Sequence, residues 1–599
     1  MTATRFSCGG LAAGDAGTLA DLRGWVNRRR DHGGLIFIDV RDRDGITQIV
    51  FDPAGEAFEL AQSLRNEDVI AIVGAVRARP AGTENSKLLT GAIEVAVEQL
   101  TVLSRSVTPP FPVNADADVD EALRLQYRYL DLRRPRLQRN LTIRHKIVKA
   151  MRDFFDERDF LEIETPNLIK STPEGARDYL VPSRVFPGSF YALPQSPQLL
   201  KQILMIGGLG RYMQMARCYR DEDSRADRQP EFTQLDVEMS FVEQDDVIAI
   251  MEDCAVYVWR KALGLEIPQP IERIAYADAM RRFGSDKPDR RFDLELRDVA
   301  SAFAGTGIKF LAPHASDAGS RIVAVRYPGG AALSRRDFDA LTETAKTFGA
   351  GGLIWVSFGD DGWKSSIAKL LDDATVERLR EQSGAENGDA ILIVAGPSAQ
   401  SSDIAGRLRL DIGERLGLRD PSAFAFCWVV GFPLFERDAE TGALAPTHHP
   451  FTAPLPGQDA LLDTDPLAMV AQHYDLVLNG TELGSGSIRI HDGAFQRRIF
   501  ADVFKLAPSD IDDRFGFFME ALRYGAPPHG GMAWGLDRIV MLACGEPSIR
   551  DVIAFPKNQA GRDLMLDAPS PVPAQSLRDL NIELRPCHGE RSPTRLRSP

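Results

Sequence analysis

The sequence predicts a multidomain α+β protein whose first domain is a small β-barrel. The chain has 599 residues, more than one hydrophobic core holds, so several domains are expected. Residues 1–105 contain short strands, such as GLIFIDVRDRDGITQIVF, separated by Gly, Asp and Asn, a pattern typical of a barrel. Beyond residue 140, strands and helices alternate without a repeating βαβ unit, which favours an antiparallel sheet with flanking helices.

Changes in composition divide the rest of the chain. Residues 106–139 begin with SVTPPFPVNADADVD, whose Pro, Asp and Asn content predicts a linker or hinge. A core domain is predicted in two parts, 140–284 and 421–575. Between them, residues 285–420 contain RIVAVRYPGG and GDAILIVAG and are predicted to form an inserted α+β domain. The polar segment 576–599 is predicted to be an extension with a disordered end.

Composition narrows the class of protein. Hydrophobic residues make up 44% and charged residues 26% of the chain, as in ordinary folded proteins. Apolar runs stay well short of the ~18 residues that a membrane span needs, and the N-terminus lacks the order of a signal peptide. Six scattered cysteines without a CxxC pair argue against zinc and disulfides. We therefore expect a cytoplasmic protein. The net charge of −14 neither supports nor excludes a nucleic-acid partner.

The segment RHKIVKAMRDFFDERDF predicts a helix that packs one face on a core. Its apolar residues recur at i, i+3 and i+4 spacing, and they are Ile147, Val148, Met151, Phe154 and Phe155.

A charge-dense loop between two strands marks a candidate binding site. In RCYRDEDSRADRQPEFTQLDVEM, alternating residues place Gln234, Asp236 and Glu238 on the polar face of a half-buried strand. Arg220 ends the preceding strand, and a guanidinium there offers planar donors to a phosphate or a carboxylate. Taken alone, the segment is better explained as a charged hairpin tip.

Three segments of the sequence, in chain order, resemble the motifs of one enzyme family. The loop segment resembles motif 2 of class II aminoacyl-tRNA synthetases of the aspartyl, asparaginyl and lysyl subgroup. FLEIETPNLIKSTPEGARDYLVPS (160–183) resembles motif 1, and GAPPHGGMAWGLDRIVMLACG (525–545) resembles motif 3. The motifs span more than 350 residues, so together they are far more specific than any one of them.

Other segments are similar to the bacterial aspartyl enzymes of this subgroup. These are YALPQSPQLLKQ (191–202), THHPFT (447–452) and LNGTELGSGSIRIHD (478–492). The barrel resembles their OB-fold anticodon domain, and 285–420 resembles an insertion that archaeal and eukaryotic aspartyl enzymes lack. The resemblance implies that ATP activates L-aspartate to aspartyl-adenylate, which a hydroxyl of the tRNA 3′ end then attacks. Such an enzyme positions reactants and stabilises charge, and needs no protein nucleophile.

The resemblance assigns roles around ATP. Arg220 would bridge the reacting carboxylate and the α-phosphate, and Arg538, near a helix N-terminus, would hold the γ-phosphate. Glu222 would bind the adenine amine, and Phe232 would stack on the ring. Arg220 and Arg538 are the implied catalytic residues. The residues implied to bind ATP are Arg220, Asp221, Glu222, Gln229, Phe232, Glu482, Gly535, Leu536, Asp537 and Arg538.

The resemblance also implies a Mg²⁺ site and an aspartate pocket. Asp475 and Glu482, with Ser485 possible, would supply the oxygen ligands that Mg²⁺ prefers. Arg489 and Lys201 would meet the aspartate side chain, and neutral asparagine would leave these cations unpaired. The implied aspartate-binding residues are Glu174, Ser196, Gln198, Lys201, Arg220, Asp236, His448, His449 and Arg489. Metal binding by His448 and His449 is disfavoured, because adjacent residues of a strand face opposite sides.

The barrel is expected to read the anticodon through aromatic stacking and polar contacts. Phe37 would stack on a base, unless it belongs to the barrel core, with Arg30, Gln48 and Glu94 near base edges. His32 and Gly82 stand where strictly tRNA-Asp-specific bacterial enzymes tend to carry leucine and asparagine. Enzymes that resemble this variant often also aspartylate tRNA-Asn, whose product an amidotransferase converts. A strictly tRNA-Asp-specific enzyme is the alternative.

Motif 1 around Pro166 would build a homodimer interface. Two other classes of protein are disfavoured. An asparaginyl or lysyl enzyme is disfavoured by Lys201, Arg489 and the insertion, and an inactive tRNA-binding paralogue is disfavoured by the presence of Arg220, Glu222 and Arg538.

Overall fold

The computed structural model describes residues 2–115, 117–172, 175–223, 225–438 and 441–584. The chain forms two compact units. The first comprises residues up to 144 together with 550–571, and the second comprises 145–549 and the residues from 572 onward.

The first unit contains the predicted barrel. Its strands are paired in the order β1-β2-β3-β4-β6-β5, and β5 also pairs with β2, which closes the sheet on itself. Along β3, Ile36, Ile38 and Val40 are buried, whereas Phe37 and Asp39 are half-buried on the opposite face, the two-residue period of a strand. The strands are β1 (Thr4–Arg5), β2 (Leu19–His32), β3 (Leu35–Arg41), β4 (Ile46–Phe51), β5 (Val69–Ala78) and β6 (Ile93–Ser104).

Helices also belong to this unit, and they include residues predicted to form a linker over 106–139. The buried Arg128 donates hydrogen bonds to the backbone carbonyls of Arg550, Ile553 and Ala554, so residues from 121 onward are packed rather than extended. The helices are α1 (Phe58–Gln62), α2 (Glu121–Gln126), α3 (Arg128–Asp131) and α4 (Pro135–Asp156), the last of which continues into the second unit.

Helix α4 has the face that the spacing predicted. Ile147, Met151, Phe154 and Phe155 are buried, and Val148 is half-buried.

The second unit is built from the following strands and helices. The strands are β7 (Leu161–Glu162), β8 (Leu180–Pro182), β9 (Phe190–Ala192), β10 (Arg211–Tyr219), β11 (Glu231–Ser240), β12 (Arg273–Ala275), β13 (Arg297–Asp298), β14 (Ser320–Tyr327), β15 (Ile354–Gly359), β16 (Gly362–Ser365), β17 (Ala390–Pro397), β18 (Phe426–Val430), β19 (Phe435–Arg437), β20 (Leu444–Pro446), β21 (His473–Leu478), β22 (Thr481–Ile488) and β23 (His529–Gly535). The α-helices are α5 (Gln198–Ile206), α6 (Gln244–Leu263), α7 (Tyr276–Phe283), α8 (Ala312–Ser316), α9 (Arg335–Thr347), α10 (Asp373–Ser383), α11 (Ser398–Arg415), α12 (Leu461–Thr464), α13 (Gly493–Arg498), α14 (Pro508–Leu522), α15 (Leu536–Cys544) and α16 (Ala574–Asp579). Across both units, short 3₁₀ turns lie at Ala13–Asp15, Ala300–Phe303, Gly330–Ala332, Ala368–Leu370, Pro466–Ala468 and Ile549–Asp551, and a π-helical turn lies at Ile499–Val503.

The large sheet of this unit places the candidate site. Its order is β12-β18-β21-β22-β23-β11-β10-β7, and it is antiparallel except at its two edges, where β12 and β7 are parallel to their neighbours. Strands β22, β23, β11 and β10 therefore lie side by side. In this register Asp236 is opposite Ala533, and Glu238 is opposite Gly531.

Residues from the inserted segment form a separate antiparallel sheet in the order β13-β14-β17-β15-β16. Successive residues of β14 belong to different cores. Val323 and Val325 pack with residues of α9 and α11, whereas Ile322 and Ala324 pack with residues of α10. Helices therefore cover both faces of this sheet.

Two further expectations concern membrane spans and the extension at residues 576–599. In the part of the chain that the structure describes, every helix is too short or too polar to cross a membrane. The predicted extension 576–599 starts within α16, and its residues 585–599 lie outside the described residues.

Glycines allow the central strands to approach closely, and this gives a testable prediction. A Cβ on Gly531 would come within 2.0 Å of the carbonyl oxygen of Val237 and within 2.2 Å of a carboxylate oxygen of Glu238. We expect Gly531→Ala to destabilise the second unit by about 1–3 kcal/mol or more, because overpacking displaces backbone. The thermal unfolding midpoint, followed by circular dichroism, should fall by several degrees.

Gly516→Ala is the matched control, since a Cβ there meets no described atom within 4 Å beyond the nearby backbone of its own helix and its chain neighbours. Gly516 lies inside α14, where alanine favours the helix. Equal midpoints for the two variants would contradict the prediction.

Candidate active site

A cavity of about 430 Å³ opens over the polar side of strands β11, β22 and β23. Helices α5 and α15, and loops that carry Ala176, Arg220 and Lys287, supply further walls. Most of the residues that the sequence singled out line it together: Ser196, Gln198, Lys201, Arg220, Glu222, Gln229, Phe232, Asp236, His449, Glu482, Ser485, Arg489, Gly535, Asp537 and Arg538.

One end of the cavity is built on a buried charge network of Lys201, Asp236, Glu238 and Arg489. Lys201 Nζ lies 2.9 Å from Asp236 Oδ1 and 3.5 Å from Glu238 Oε2. Arg489 donates from Nε and Nη2 to the two oxygens of Glu238, at 2.9 and 3.0 Å. All four side chains are at most 2% exposed. Burial opposes ionisation of Glu238, but Arg489 and Lys201 outweigh it and lower the pKa of that carboxyl.

Glu238 was recognised in the sequence as part of the polar face of β11, but it was not assigned to the site. The expectation of a half-buried polar face holds for Gln234 but is wrong for Asp236 and Glu238, which are as buried as the apolar residues beside them in β11. The polar face is covered by Lys201 from α5 and by Arg489, which follows β22. The alternation of residues along β11 was the available signal, since Glu238 lies one strand period beyond Asp236.

Three buried polar side-chain atoms of the cavity residues differ from the paired atoms of the charge network. Gln198 Nε2, Arg220 Nε and Asp236 Oδ2 have no hydrogen-bond partner among the described residues. The Arg220 guanidinium lies 5.2 Å from the centroid of the Phe232 ring. Unpaired buried groups are costly, so these atoms are suited to contact a polar ligand.

The opposite end of the cavity contains half-exposed ion pairs. Arg228 pairs with Glu222 at 3.1 Å, and Arg538 pairs with Asp227 at 3.1 Å. Arg538 lies in the first turn of α15 and also donates to the backbone carbonyl of Glu482, at 3.2 Å. Helix N-termini of this kind favour anions.

Carboxylates gather beside this end. Lys287 Nζ lies 3.1 Å from Glu482 Oε2. Burial, and next the charge of Glu482, raises the pKa of Asp475 to about 7. Burial alone would also raise the pKa of Glu482, but Lys287 and Arg538 lower it. Burial opposes the charge of Lys287, but Glu482 and Asp286 raise the pKa of its ammonium group.

The two adjacent histidines follow β20 instead of lying within a strand, which corrects the sequence-based expectation. They still face different surroundings. His449 Nε2 accepts a hydrogen bond from Arg489 Nη1 at 2.9 Å, and burial and then Arg489 hold its pKa well below the ordinary value. The ring of His448 stacks on that of His473 with centroids 3.5 Å apart. His473 Nε2 in turn lies 2.9 Å from Asp475 Oδ1 and 3.0 Å from Ser485 Oγ.

A loop beside the cavity is held by Gln195. Its side-chain amide donates to the carbonyl of Ala176 at 2.8 Å and accepts from the amide of Ala176 at 3.0 Å. Gly175 and Ala176 line the cavity. Glu174, assigned to aspartate binding from the sequence, lies outside the described residues.

Some predicted site residues are placed differently. His448 and Asp475 are not among the described residues that line the cavity, and both contact His473, His448 by ring stacking and Asp475 through Oδ1. Asp221 is exposed, and its backbone pairs with Arg177. Leu536 is buried in the core. Asp537 lines the cavity, but its carboxylate accepts a hydrogen bond from the Thr233 amide at 3.1 Å, which ties α15 to β11.

The predicted anticodon residues share one face of the barrel in the first unit. Arg30 donates to Gln48 at 3.1 Å, and Gln48 donates to Glu94 at 2.9 Å. Phe37 is half-buried and directly opposite Arg30 in the pairing of β2 with β3. Because Phe37 alternates with the core residues of β3, it does not belong to the barrel core.

The two residues predicted to influence tRNA choice are both exposed. His32 ends β2, and Gly82 lies in the loop after β5 with a φ of +82°.

Comparison with known families agrees with this architecture. The profile of the family described as tRNA synthetases class II (D, K and N) matches residues 120–559. The profile of the OB-fold nucleic acid binding domain matches residues 21–103. The first match covers most of the chain, so this protein belongs to the class II tRNA synthetases of the aspartyl, lysyl and asparaginyl group. The fold class predicted from the sequence is confirmed.

Two relatives are similar to this chain over nearly its whole length. The chain is 52% identical to the aspartate–tRNA(Asp/Asn) ligase of Moorella thermoacetica, over 96% of each chain. It is 51% identical to the enzyme of the same name from Heliobacterium modesticaldum, over 96% of this chain and 95% of that one. The predicted resemblance to aspartyl enzymes is confirmed.

Solved structures support the fold. The asparaginyl-tRNA synthetase of Pyrococcus horikoshii, complexed with asparaginyl-adenylate, has a TM-score of 0.58 at 18% identity, covering 92% of this chain and 98% of its own. The asparaginyl-tRNA synthetase of Entamoeba histolytica, in complex with the same adenylate, has a TM-score of 0.58 at 19% identity, covering 93% and 98%. At these identities the likeness concerns the fold.

The buried charge network gives a prediction about stability. Glu238→Gln removes the charge that balances Arg489 and Lys201, and an uncompensated buried charge costs about 3–5 kcal/mol. We expect a clear fall in the thermal unfolding midpoint. Glu231→Gln, on the same strand, removes a half-exposed pair with Arg217 and should cost less than about 1 kcal/mol. Similar midpoints for both variants would show that the network does not stabilise the fold.

Proposed function

We propose that this protein is an aspartate–tRNA ligase that activates L-aspartate with ATP and charges both tRNA-Asp and tRNA-Asn. One observation carries the chemistry: Arg220, Arg489 and Arg538 line a single cavity together with Lys201 and Asp236. The names of the relatives at about 50% identity support the pair of tRNA substrates.

Aspartate would bind at the buried charge network. Asp236 Oδ2, which has no hydrogen-bond partner among the described residues, would accept the α-ammonium group. Gln198 and Ser196 would add polar contacts to it. The side-chain carboxylate would meet Lys201 and Arg489, with the neutral His449 beside Arg489. Asparagine would bring an amide NH₂ toward these donors, and mismatched buried polar groups are strongly rejected.

ATP would lie across Phe232 with its phosphates toward α15. Glu222 would bind the adenine amine once it leaves Arg228, and the half-exposed pair between them is weak enough to exchange. Gln229 and the backbone at Gly535 would border the nucleotide. Arg538 would bind the γ-phosphate in competition with Asp227.

Activation needs the α-carboxylate of aspartate to attack the α-phosphorus. Arg220 would contact both groups, bring them together and offset charge that grows on the phosphate oxygens. The substrates supply the attacking carboxylate and the later tRNA hydroxyl. The protein side chains therefore hold and orient these reacting groups. Asp221, Leu536 and Asp537 would support this site through the backbone and through the tie to β11.

The carboxylates of Asp475 and Glu482 fit a Mg²⁺ site. Mg²⁺ is held by one or two carboxylates and keeps several waters, so a larger protein cluster, absent from the described residues, is unnecessary. Burial, and next the charge of Glu482, raises the pKa of Asp475, and a bound cation would favour the charged form of this carboxyl. Ser485 would contribute a hydroxyl oxygen. When bound, Mg²⁺ would neutralise part of the charge of the triphosphate.

The barrel face of Arg30, Phe37, Gln48 and Glu94 would read anticodon bases by stacking and hydrogen bonds. The exposed His32 and Gly82 would lie where tRNA-Asp and tRNA-Asn differ. We further propose a homodimer formed through motif 1 around Pro166, and an amidotransferase that converts the aspartyl-tRNA-Asn product in the cytoplasm.

Amino-acid specificity can be tested by ATP–pyrophosphate exchange. We expect exchange with aspartate and at most a trace with asparagine or lysine. Arg489→Lys should lower kcat/KM for aspartate at least about 30-fold, because truncating a buried charge pair costs about 2–5 kcal/mol, while KM for ATP changes little. Arg217→Lys, at a half-exposed pair on β10, is the matched control. Exchange that depends on another amino acid would refute the proposal.

The choice of tRNA is tested separately by charging purified transcripts with radiolabelled aspartate. We expect product with tRNA-Asp and with tRNA-Asn, and a selective loss of tRNA-Asn charging in His32→Leu. Failure of the wild type to charge tRNA-Asn above background would remove the second substrate and leave the first.

A further inference from the structure

Lys287 is a cation at the cavity that lies outside the three motifs and outside every residue assigned from the sequence. It belongs to the loop after α7, at the start of the inserted segment. Its side chain lines the cavity, is 40% exposed and lies 3.1 Å from Glu482 Oε2. Arg538 contacts the backbone carbonyl of the same glutamate. Two cations from distant parts of the chain therefore flank Glu482 at one end of the cavity.

The loop that carries Lys287 is held rigidly by the inserted domain. Arg409 of α11 is 1% exposed. It donates hydrogen bonds of 2.8–3.0 Å to the backbone carbonyls of Asp289, Phe292 and Leu294. Its guanidinium also lies 4.0 Å from the centroid of the Phe292 ring. Carbonyls bound by a buried guanidinium fix the path of the backbone two residues beyond Lys287.

The same loop contacts the end of the inserted segment and packs against a turn of the large sheet. The carboxylate of Asp289 accepts hydrogen bonds from Arg291 and Arg419. Its Cβ lies 3.3 Å from where a Cβ on Gly480 would stand, at the turn between β21 and β22. This turn immediately precedes β22, the strand that carries Glu482. The inserted domain thus determines where Lys287 stands relative to Glu482.

We propose that Lys287 is a catalytic residue that binds the β- and γ-phosphates of ATP and stabilises pyrophosphate as it leaves. This inference rests on the proposed function and extends it to the inserted domain. An ammonium on a flexible stem is a compact donor to phosphate oxygens. The half-exposed pair with Glu482 is weak enough to exchange for a polyphosphate.

The chemistry balances without proton transfer from Lys287. A carboxylate oxygen of aspartate forms a bond to the α-phosphorus. The bond from that phosphorus to the oxygen bridging the α- and β-phosphates breaks, and its electron pair leaves on that oxygen with pyrophosphate. Lys287 offsets the negative charge that gathers on this leaving group, which is where a fixed cation accelerates the reaction.

The test compares wild type, Lys287→Gln, Lys287→Arg and Lys346→Gln in aspartate-dependent exchange. Lys346 is the matched control, because it lies in the same inserted domain in an exposed pair with Glu343. We expect Lys287→Gln to raise KM for ATP and for pyrophosphate about 10- to 100-fold, as for a lost hydrogen bond to a charged group. KM for aspartate should stay within about 2-fold, and Lys287→Arg should recover most of the loss.

Inhibition by AMP, which lacks the β- and γ-phosphates, distinguishes direct phosphate binding by Lys287 from an indirect effect of Lys287 on the site. The inhibition constant of AMP in the exchange reaction should be the same for Lys287→Gln and the wild type. Equal weakening of AMP and ATP would overturn the inference, as would full recovery of Lys287→Gln at high Mg²⁺, which would mean that Lys287 only holds Glu482. A wild type without aspartate-dependent exchange would refute the proposed function itself. An active wild type with an unaffected Lys287→Gln would refute this inference alone.

Discussion

The pairing of Glu238 with Arg489 and Lys201 is the constraint on which the site depends. Removing such charges from water costs several kcal/mol for each ion, and only close geometry with further hydrogen bonds recovers that cost. The three residues come from β11, from the end of β22 and from α5. These elements must therefore keep fixed relative positions for the network to be stable. The same positions align Asp236 and Arg220 along the cavity.

The two ends of the cavity differ in how firmly their charges are held. At the amino-acid end, the cations and carboxylates are almost fully buried, so their geometry is set before any ligand arrives. At the nucleotide end, the pairs of Arg228, Arg538 and Lys287 are partly exposed and individually weak. This arrangement suits a rigid pocket that selects a small charged side chain beside an adjustable surface for phosphates.

Much of the fold and the site followed from local patterns, and the exceptions have physical reasons. The spacing of apolar residues predicted α4, and alternation predicted β11 and the polar face that includes Glu238. Burial of that face was not predictable from β11 itself, because Lys201 and Arg489 that cover it are distant in sequence. Lys287 was missed for the same reason, since its position depends on contacts of Arg409 more than a hundred residues away. The histidine pair was expected to lie on a strand, whereas β20 ends before it and the chain bends there.

The close packing of glycines along β22 and β23 has a consequence for inhibition. Gly484 and Gly486 border the cavity, and a Cβ at either would come within 2.4 Å of Trp534 or Tyr474. A compound lying along these strands would touch main-chain atoms, which a single substitution cannot remove. Changes bulky enough to exclude it would also disrupt the packing of the sheet, so resistance by mutation at this surface would carry a cost in folding.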